Sequence, residues 1–331
     1  MGGNAISISK RYITAILLAL GFMLPGALAG AEPAPGAWGK RAPMLEANSE
    51  FAVAVLGGKI YIVGGYPSSR ETQRTVQIYD TKTDSWTLGP PLPQPNNHGT
   101  ATTVGGKIYV IGGQTTSRGR GSYVDTVYVL DPKTGQWEEK APMPTKRSAA
   151  ITAVIDGMIY VAGGRPPRGS DFAVYDPKTD TWKTLPDLPT QRNHIAGAAI
   201  NGKFHVVGGR PGGGFRSGKI AAHEVFDPKT RTWSAAAPML QPRSGINGVM
   251  ARGCFHVWGG EEGSGMFPDH DYYDPRTDKW MKLADMKIPV HGVTGAVFQN
   301  GLIYVPGGGT EIGGSSGSLF NQVYRPAVSC E

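Results

Sequence analysis

The chain has 331 residues, long enough for one large domain with an ample core. Its formal net charge of +7 comes from basic residues scattered singly, with no run of them, which argues against a nucleic-acid partner. Two cysteines are too few for a disulfide scaffold.

Near the N-terminus, Lys10-Arg11 precede an apolar run from Ile13 to Leu24, and Ala27-Leu28-Ala29 follow. A basic start, an apolar stretch of about a dozen residues and a small-x-small end have the form of a cleavable secretory signal peptide. The run is shorter than the roughly 20 residues of a membrane span. Residues 1–29 are therefore expected to direct export to the periplasm or exterior, an uncleaved anchor being the alternative. Residues 30–331 are expected to be a single domain with no membrane span.

From there the chain repeats. Double glycines stand at Gly64-Gly65, Gly112-Gly113, Gly163-Gly164, Gly208-Gly209, Gly259-Gly260 and Gly307-Gly308, about fifty residues apart, a period that marks repeats. Six residues before each pair, Gly58, Gly106, Gly157, Gly202, Gly253 and Gly301 close dipeptides such as Asp156-Gly157 and Asn201-Gly202, which suit two-residue hairpin turns. After each pair an apolar run ends at Tyr79, Leu130, Tyr175, Phe226, Tyr273 or Tyr324. Seven residues later come Trp86, Trp137, Trp182, Trp233 and Trp280, with turns such as Asp131-Pro132-Lys133-Thr134 between. Each repeat reads as four antiparallel strands, the aromatics packing on the glycine-lined surface. The first strand of each is rich in small and β-branched residues, as in Ala196-Gly197-Ala198-Ala199, which fits crowding round an axis.

These three markers, in register over nearly all the chain after the leader, resemble the kelch repeat of the galactose oxidase-like superfamily. The resemblance implies an all-β, six-bladed β-propeller with four antiparallel strands per blade. The sixth repeat lacks its tryptophan, because seven residues beyond Tyr324 is Glu331. Trp38 precedes Ala42-Pro43-Met44 as Trp137 precedes Ala141-Pro142-Met143, so the N-terminal strand around Trp38 is expected to complete the last blade and close the ring. In a propeller, Cys254 and Cys330 fall near one face of neighbouring blades, where a disulfide would pin the C-terminal tail.

Function is sought on the loops. One set leads into the innermost strands and offers Asn48, Asn96, Arg147, Arg192, Arg243 and His291, sixteen residues before each double glycine. Two positions on come Glu50, His98, Ala149, His194, Gly245 and Val293. The second set follows the glycines: Tyr66, Gln114, Arg165, Arg210, Glu261 and Gly309. In proteins resembling this one both sets form the pocket that grips a partner. The arginines suit a carboxylate or phosphate, which points to an acidic sugar or acidic peptide. The alternative is that they tie loops together or pair with Glu50, Glu261 and Glu262.

His205 and His256 replace Tyr61, Tyr109, Tyr160 and Tyr304 in the repeat and are expected to be structural. His98 and His194 stand at the mouth, with His291 two residues off their register; a metal on the axis is conceivable, but no carboxylate spacing backs it. No metal and no cofactor are expected. His223-Glu224 and His270-Asp271 read as solvated loop ends rather than acid-base pairs. Nucleophile-elbow, phosphate-loop and HExxH motifs are missing. A copper radical oxidase, which needs a cysteine-crosslinked tyrosine, is disfavoured by the places of the two cysteines. The expectation is an exported, monomeric binding module for a protein or small acidic ligand. The alternative is a sugar-processing enzyme similar to periplasmic sialic acid mutarotases, with Glu261 beside Arg210 or Arg243 as its acid-base group and anchor.

Overall fold

The computed structural model describes residues 1–2, 32–117, 122–294, 297–314 and 316–331; beyond its first two residues the expected leader lies outside this set. The described residues hold no α-helix, so none is long and apolar enough to cross a membrane. Six four-stranded antiparallel blades surround one axis. Blade one runs Phe51–Leu56, Lys59–Val63, Val76–Asp80 and Ser85–Leu88, and the plan repeats down the chain. In the sixth blade Trp38–Lys40 pairs with Asn321–Tyr324, Trp38 opposite Tyr324, so the N-terminal strand closes the ring as expected. The hairpin dipeptides have positive φ at both positions, 52° and 79° at Asp156-Gly157, the twist a two-residue turn needs.

The core is divided among the seams. Each hydrophobic cluster joins two adjacent blades, as where Ile151, Tyr160 and Phe172 of blade three meet Phe204 and Phe226 of blade four. The double glycines make the polar half of each seam. The second glycine donates its N–H to a carbonyl in the next blade's lead-in: Gly65 to Asn96 at 2.7 Å, Gly113 to Arg147 at 2.7 Å, Gly209 to Arg243 at 2.8 Å. The first glycine lies under the same carbonyl, so close that a Cβ on Gly112 would stand 2.7 Å from Arg147 O.

The tryptophans correct one expectation. They do not cover the glycines, whose nearest neighbours include the next blade's backbone. Trp86 packs on Tyr79 of its own blade and donates Nε1–H to Ala42 O of the preceding blade at 2.8 Å. Trp182 to Ala141 O and Trp280 to Ala237 O repeat the bond, and Trp38 makes it to Ala284 O at 3.0 Å.

Cys254 and Cys330 are disulfide-bonded, with Cα atoms 5.0 Å apart. The bond holds the C-terminal segment on blade five, where Cys330 N–H also donates to Arg252 O.

A second correction concerns the histidines of blades four and five. His223 and His270 are not solvated ends but lie buried against His205 and His256, with Nδ1 to Nε2 distances of 2.8 and 3.0 Å. Each imidazole pair fills the place held in blade three by Tyr160 and Phe172. Glu224 and Asp271, beside them on the strands, are buried as ion-pair partners of Arg192 and Arg243.

Two tests follow from these contacts. Gly112→Ala forces a Cβ into a backbone carbonyl at φ +61°, and should lower unfolding free energy in urea by roughly 3 kcal/mol. Burial, chiefly, holds His205 down to about 3 and His223 and His256 to about 4. Because the unfolded chain binds protons that the folded chain refuses, stability is full above about pH 6.5 and is lost as pH falls toward 4. The loss is at most about 1.4 kcal/mol per pH unit for each group. Replacing one pair by the blade-three residues, His205→Tyr with His223→Phe, should flatten the stability curve over that window in pH-dependent thermal unfolding; an unchanged slope would refute the account.

Candidate functional site

The site begins with six residues that turn the chain into the inner strands. Glu50, His98, Ala149, His194, Gly245 and Gly292 all have positive φ, from 52° to 69°. For the four that are not glycine this costs about 1 kcal/mol each, a strain that persists only where surroundings fix it. What fixes it is a chain of backbone bonds from blade to blade. His98 N–H donates to Glu50 O at 2.7 Å, Ala149 to His98 at 2.8 Å, His194 to Ala149 at 3.1 Å, Gly245 to His194 at 3.0 Å, and Glu50 to Gly292 O. The ring lies at the mouth of the central channel and carries polar side chains into the cavity at Glu50, His98 and His194.

In blade six the sequence count slips by one. The carbonyl that docks on the fifth double glycine belongs to Val290, and Gly292, not Val293, occupies the ring. His291 therefore matches Ser49, Asn97, Asn193 and Ser244, bridging to Gly309 as Asn193 bridges to Arg210. Its ring lies over Gly309, where any Cβ would stand 2.5 Å from its Cε1.

The two loop sets part company. The side chains of Asn48, Asn96, Arg147, Arg192 and Arg243 do not line the mouth; they are turned into the blades, at most 3% exposed, and bind backbone. Asn48 Nδ2 donates to Gly64 O and Asn96 Nδ2 to Gly112 O, at 2.7 and 2.8 Å. The longer arginines do the same and reach further: Arg147 to Val161 O and Asp171 O, Arg192 to Val206 O and Glu224, Arg243 to Gly259 O, Asp269 O and Asp271. Burial of a charge demands partners, and the terminal nitrogens of these guanidinium groups find them in the scaffold, although each Nε stays without one.

The second set does face inward. Tyr66, Gln114, Arg165, Arg210 and Glu261 wall a cavity of ≈ 460 Å³, floored by Glu50, His98 and His194. Arg70, Phe215 and the glycines Gly213-Gly214 and Gly313-Gly314 form its rim. The volume suits a small molecule. Arg210 and Glu261 are ion-paired at 2.9 Å and nearly sealed from solvent. Burial alone would raise the Glu261 carboxyl, but His291, Arg210 and the Gly313 N–H together hold it below its ordinary value. Glu50 is the opposite case: burial pushes it up, more than His291 and Arg165 bring it down. Burial, aided by Arg165 and Arg210, drives His98 and His194 well below the ordinary imidazole value, so both are neutral.

Arg165 is placed differently from the other arginines. Its Nη2 donates to His98 Nε2 at 2.9 Å and His194 Nε2 at 3.3 Å, and Nη1 to Gly213 O at 2.5 Å. Two imidazoles and a carbonyl hold it without cancelling its charge, and among the described residues no carboxylate lies within 4 Å of it. The sequence names Arg165, Arg210, His98 and His194 as candidates, and these the structure brings together. It does not by itself name Glu50 as the carboxylate beside His98, because the two are 48 residues apart in different blades. The repeat period was the available signal, since both occupy one register.

Known proteins carry the same repeat. A family model described as "Kelch motif" matches residues 47–93, and one described as "FKB95, Kelch-repeats domain" matches residues 89–212. Kelch-like protein 34 of Homo sapiens is 34% identical over 136 residues, 40% of this chain and 21% of that protein. Kelch-like protein 35 of Mus musculus is 30% identical over 138 residues, 42% of this chain and 22% of that protein. The chain thus spans about a fifth of the length of these two relatives. Kelch-like protein 23 of Homo sapiens is 28% identical over 232 residues, 69% of this chain and 40% of that protein. Among solved structures, that of YjhT superposes with a TM-score of 0.70 at 17% identity, covering 85% of this chain and 95% of the other, a likeness of fold. With the repeat matched in sequence and six blades closed round one axis, the chain belongs to the kelch-repeat β-propeller family.

Proposed function

We propose that this protein is an exported, monomeric binding module whose mouth cavity takes a carboxylate. Kelch propellers are generally protein-binding, and the carboxylate is borne either by a small acidic molecule or by an acidic side chain of a protein partner. The observation that carries the reading is Arg165, a cation held over the cavity floor by neutral acceptors alone. A charge with no carboxylate at ion-pair distance is attracted to an anion, and a guanidinium offers paired donors to a carboxylate. Arg70 at the rim adds positive charge on the same cavity. Export is supported by the form of residues 1–29 and by the Cys254–Cys330 bond, which suits an oxidising compartment.

Thermal unfolding with glucuronate, glucose and a short polyglutamate peptide tests this. Ligand at a hundred times its dissociation constant stabilises by about 2.7 kcal/mol, roughly a 4 °C rise in Tm for a domain of this size. A rise with glucuronate alone identifies a small acidic ligand, and one with the peptide alone an acidic segment. Arg165→Met should abolish either, while glucose has no effect. No rise with either anion, or one that survives Arg165→Met, removes the carboxylate reading.

A further inference from the structure

The floor of the cavity holds more acceptors than donors. Asn193 Nδ2 donates to the carbonyls of Arg210 and Gly212, both at 3.0 Å, which turns its Oδ1 toward His194 Nδ1 at 2.5 Å. His194 must therefore carry its proton on Nδ1 and present a bare Nε2. Asn97 does the same for His98: its Nδ2 bonds Thr72 Oγ1 and its Oδ1 lies 2.5 Å from Nδ1. Both Nε2 lone pairs point to one place. Glu50 Oε2 faces that place too, 3.0 Å from His98 Nε2, buried and with no hydrogen-bond donor. The three acceptor atoms lie within 4.8 Å of one another, on residues 3–6% exposed.

Arg165 answers only part of this. Its Nη2 supplies donors to the two imidazoles, and the contact between Glu50 Oε2 and His98 Nε2 is left as acceptor against acceptor. A cation bound to all three would give each of these three atoms a partner.

We propose that Glu50, His98 and His194 form a site for a divalent transition metal, zinc being the closest match, and that Arg165 is the competing cation that occupies the place when no metal is bound. Two imidazoles and a carboxylate are a zinc ligand set that leaves a fourth position, here open to the cavity. Each imidazole is oriented through its other nitrogen by a neighbouring side chain, the arrangement that fixes the tautomer of metal-bound histidines. Backbone bonds join the ligands in the order Glu50, His98, Ala149, His194, so their positions are set by the scaffold. Glu50 is the carboxylate that a reading of the histidines alone lacks, and His291, bonded to Glu311 O, stays outside the set.

The test uses the tag-free chain, washed with chelator and titrated with Zn²⁺ against a chromophoric competitor. One ion per chain is expected, and Co²⁺ in its place should give the visible absorption of a low-coordinate site. His98→Ala and His194→Ala should each weaken binding at least tenfold. Alanine already stands in the same ring conformation at Ala149, so the fold tolerates it there. Glu50→Gln, which keeps the shape, should weaken binding as well. Arg165→Met should tighten binding severalfold by removing the competitor, the opposite of its effect on carboxylate binding. Absence of saturable binding to the unaltered chain, or binding that the histidine variants leave unchanged, overturns the proposal.

Discussion

A carbonyl oxygen lying on a double glycine is the contact on which this propeller depends. At each seam the lead-in to one blade presents a backbone oxygen to the glycine pair of the blade before it. The first glycine leaves room for that oxygen and the second donates to it. The same lead-in then becomes the turn into the inner strand, so the bond that joins two blades also sets the height at which the next residue meets the axis. Hydrophobic clusters supply most of the energy of the seam, but they are deformable. The glycine contact fixes its register.

That division explains how the molecule uses charge. The scaffold arginines, Arg147, Arg192 and Arg243, are drawn into the blades, where carbonyls and, for two of them, the buried acids Glu224 and Asp271 meet them. Asn48 and Asn96 do the shorter version of the same task. One hairpin further on, past the double glycine, the chain emerges into the cavity, and there Arg165 bonds two imidazoles. Residues of one type, in one repeat, thus brace the blade or line the cavity according to whether they come before or after the glycine pair.

The sequence makes the fold legible because its markers are backbone requirements. Only glycine fits beneath the carbonyl, and a positive-φ dipeptide is needed at every hairpin. The closing strand is readable for the same reason, since Trp38 repeats a spacing. The site is less legible. Counting back from the glycines places Arg147 and Arg192 in the right loops but cannot say which way a side chain turns. In blade six the count fails by one residue, which moves Val293 out of the ring, puts Gly292 into it and shifts His291 to the place of Ser49 and Asn193. Glu50 and His98 meet across a seam, and the repeat spacing gives their register but not their distance. The His223 and His270 pairs look solvated in sequence because a polar dipeptide at a strand start usually is; burial became acceptable here because each imidazole found another.

The ring of six left-handed residues has an implication for how such a molecule changes its chemistry. Five main-chain bonds link its members from blade to blade, whatever side chain each residue carries. The ring is thus a set of six like positions around a common centre, of which Glu50, His98 and His194 carry polar side chains and Ala149, Gly245 and Gly292 do not. At Ala149 a longer side chain would start from the same ring without a new loop or a longer chain, whereas a Cβ on Gly292 would stand 2.7 Å from the Glu50 carboxyl. The repeat that builds the wall therefore also sets where its contents can change.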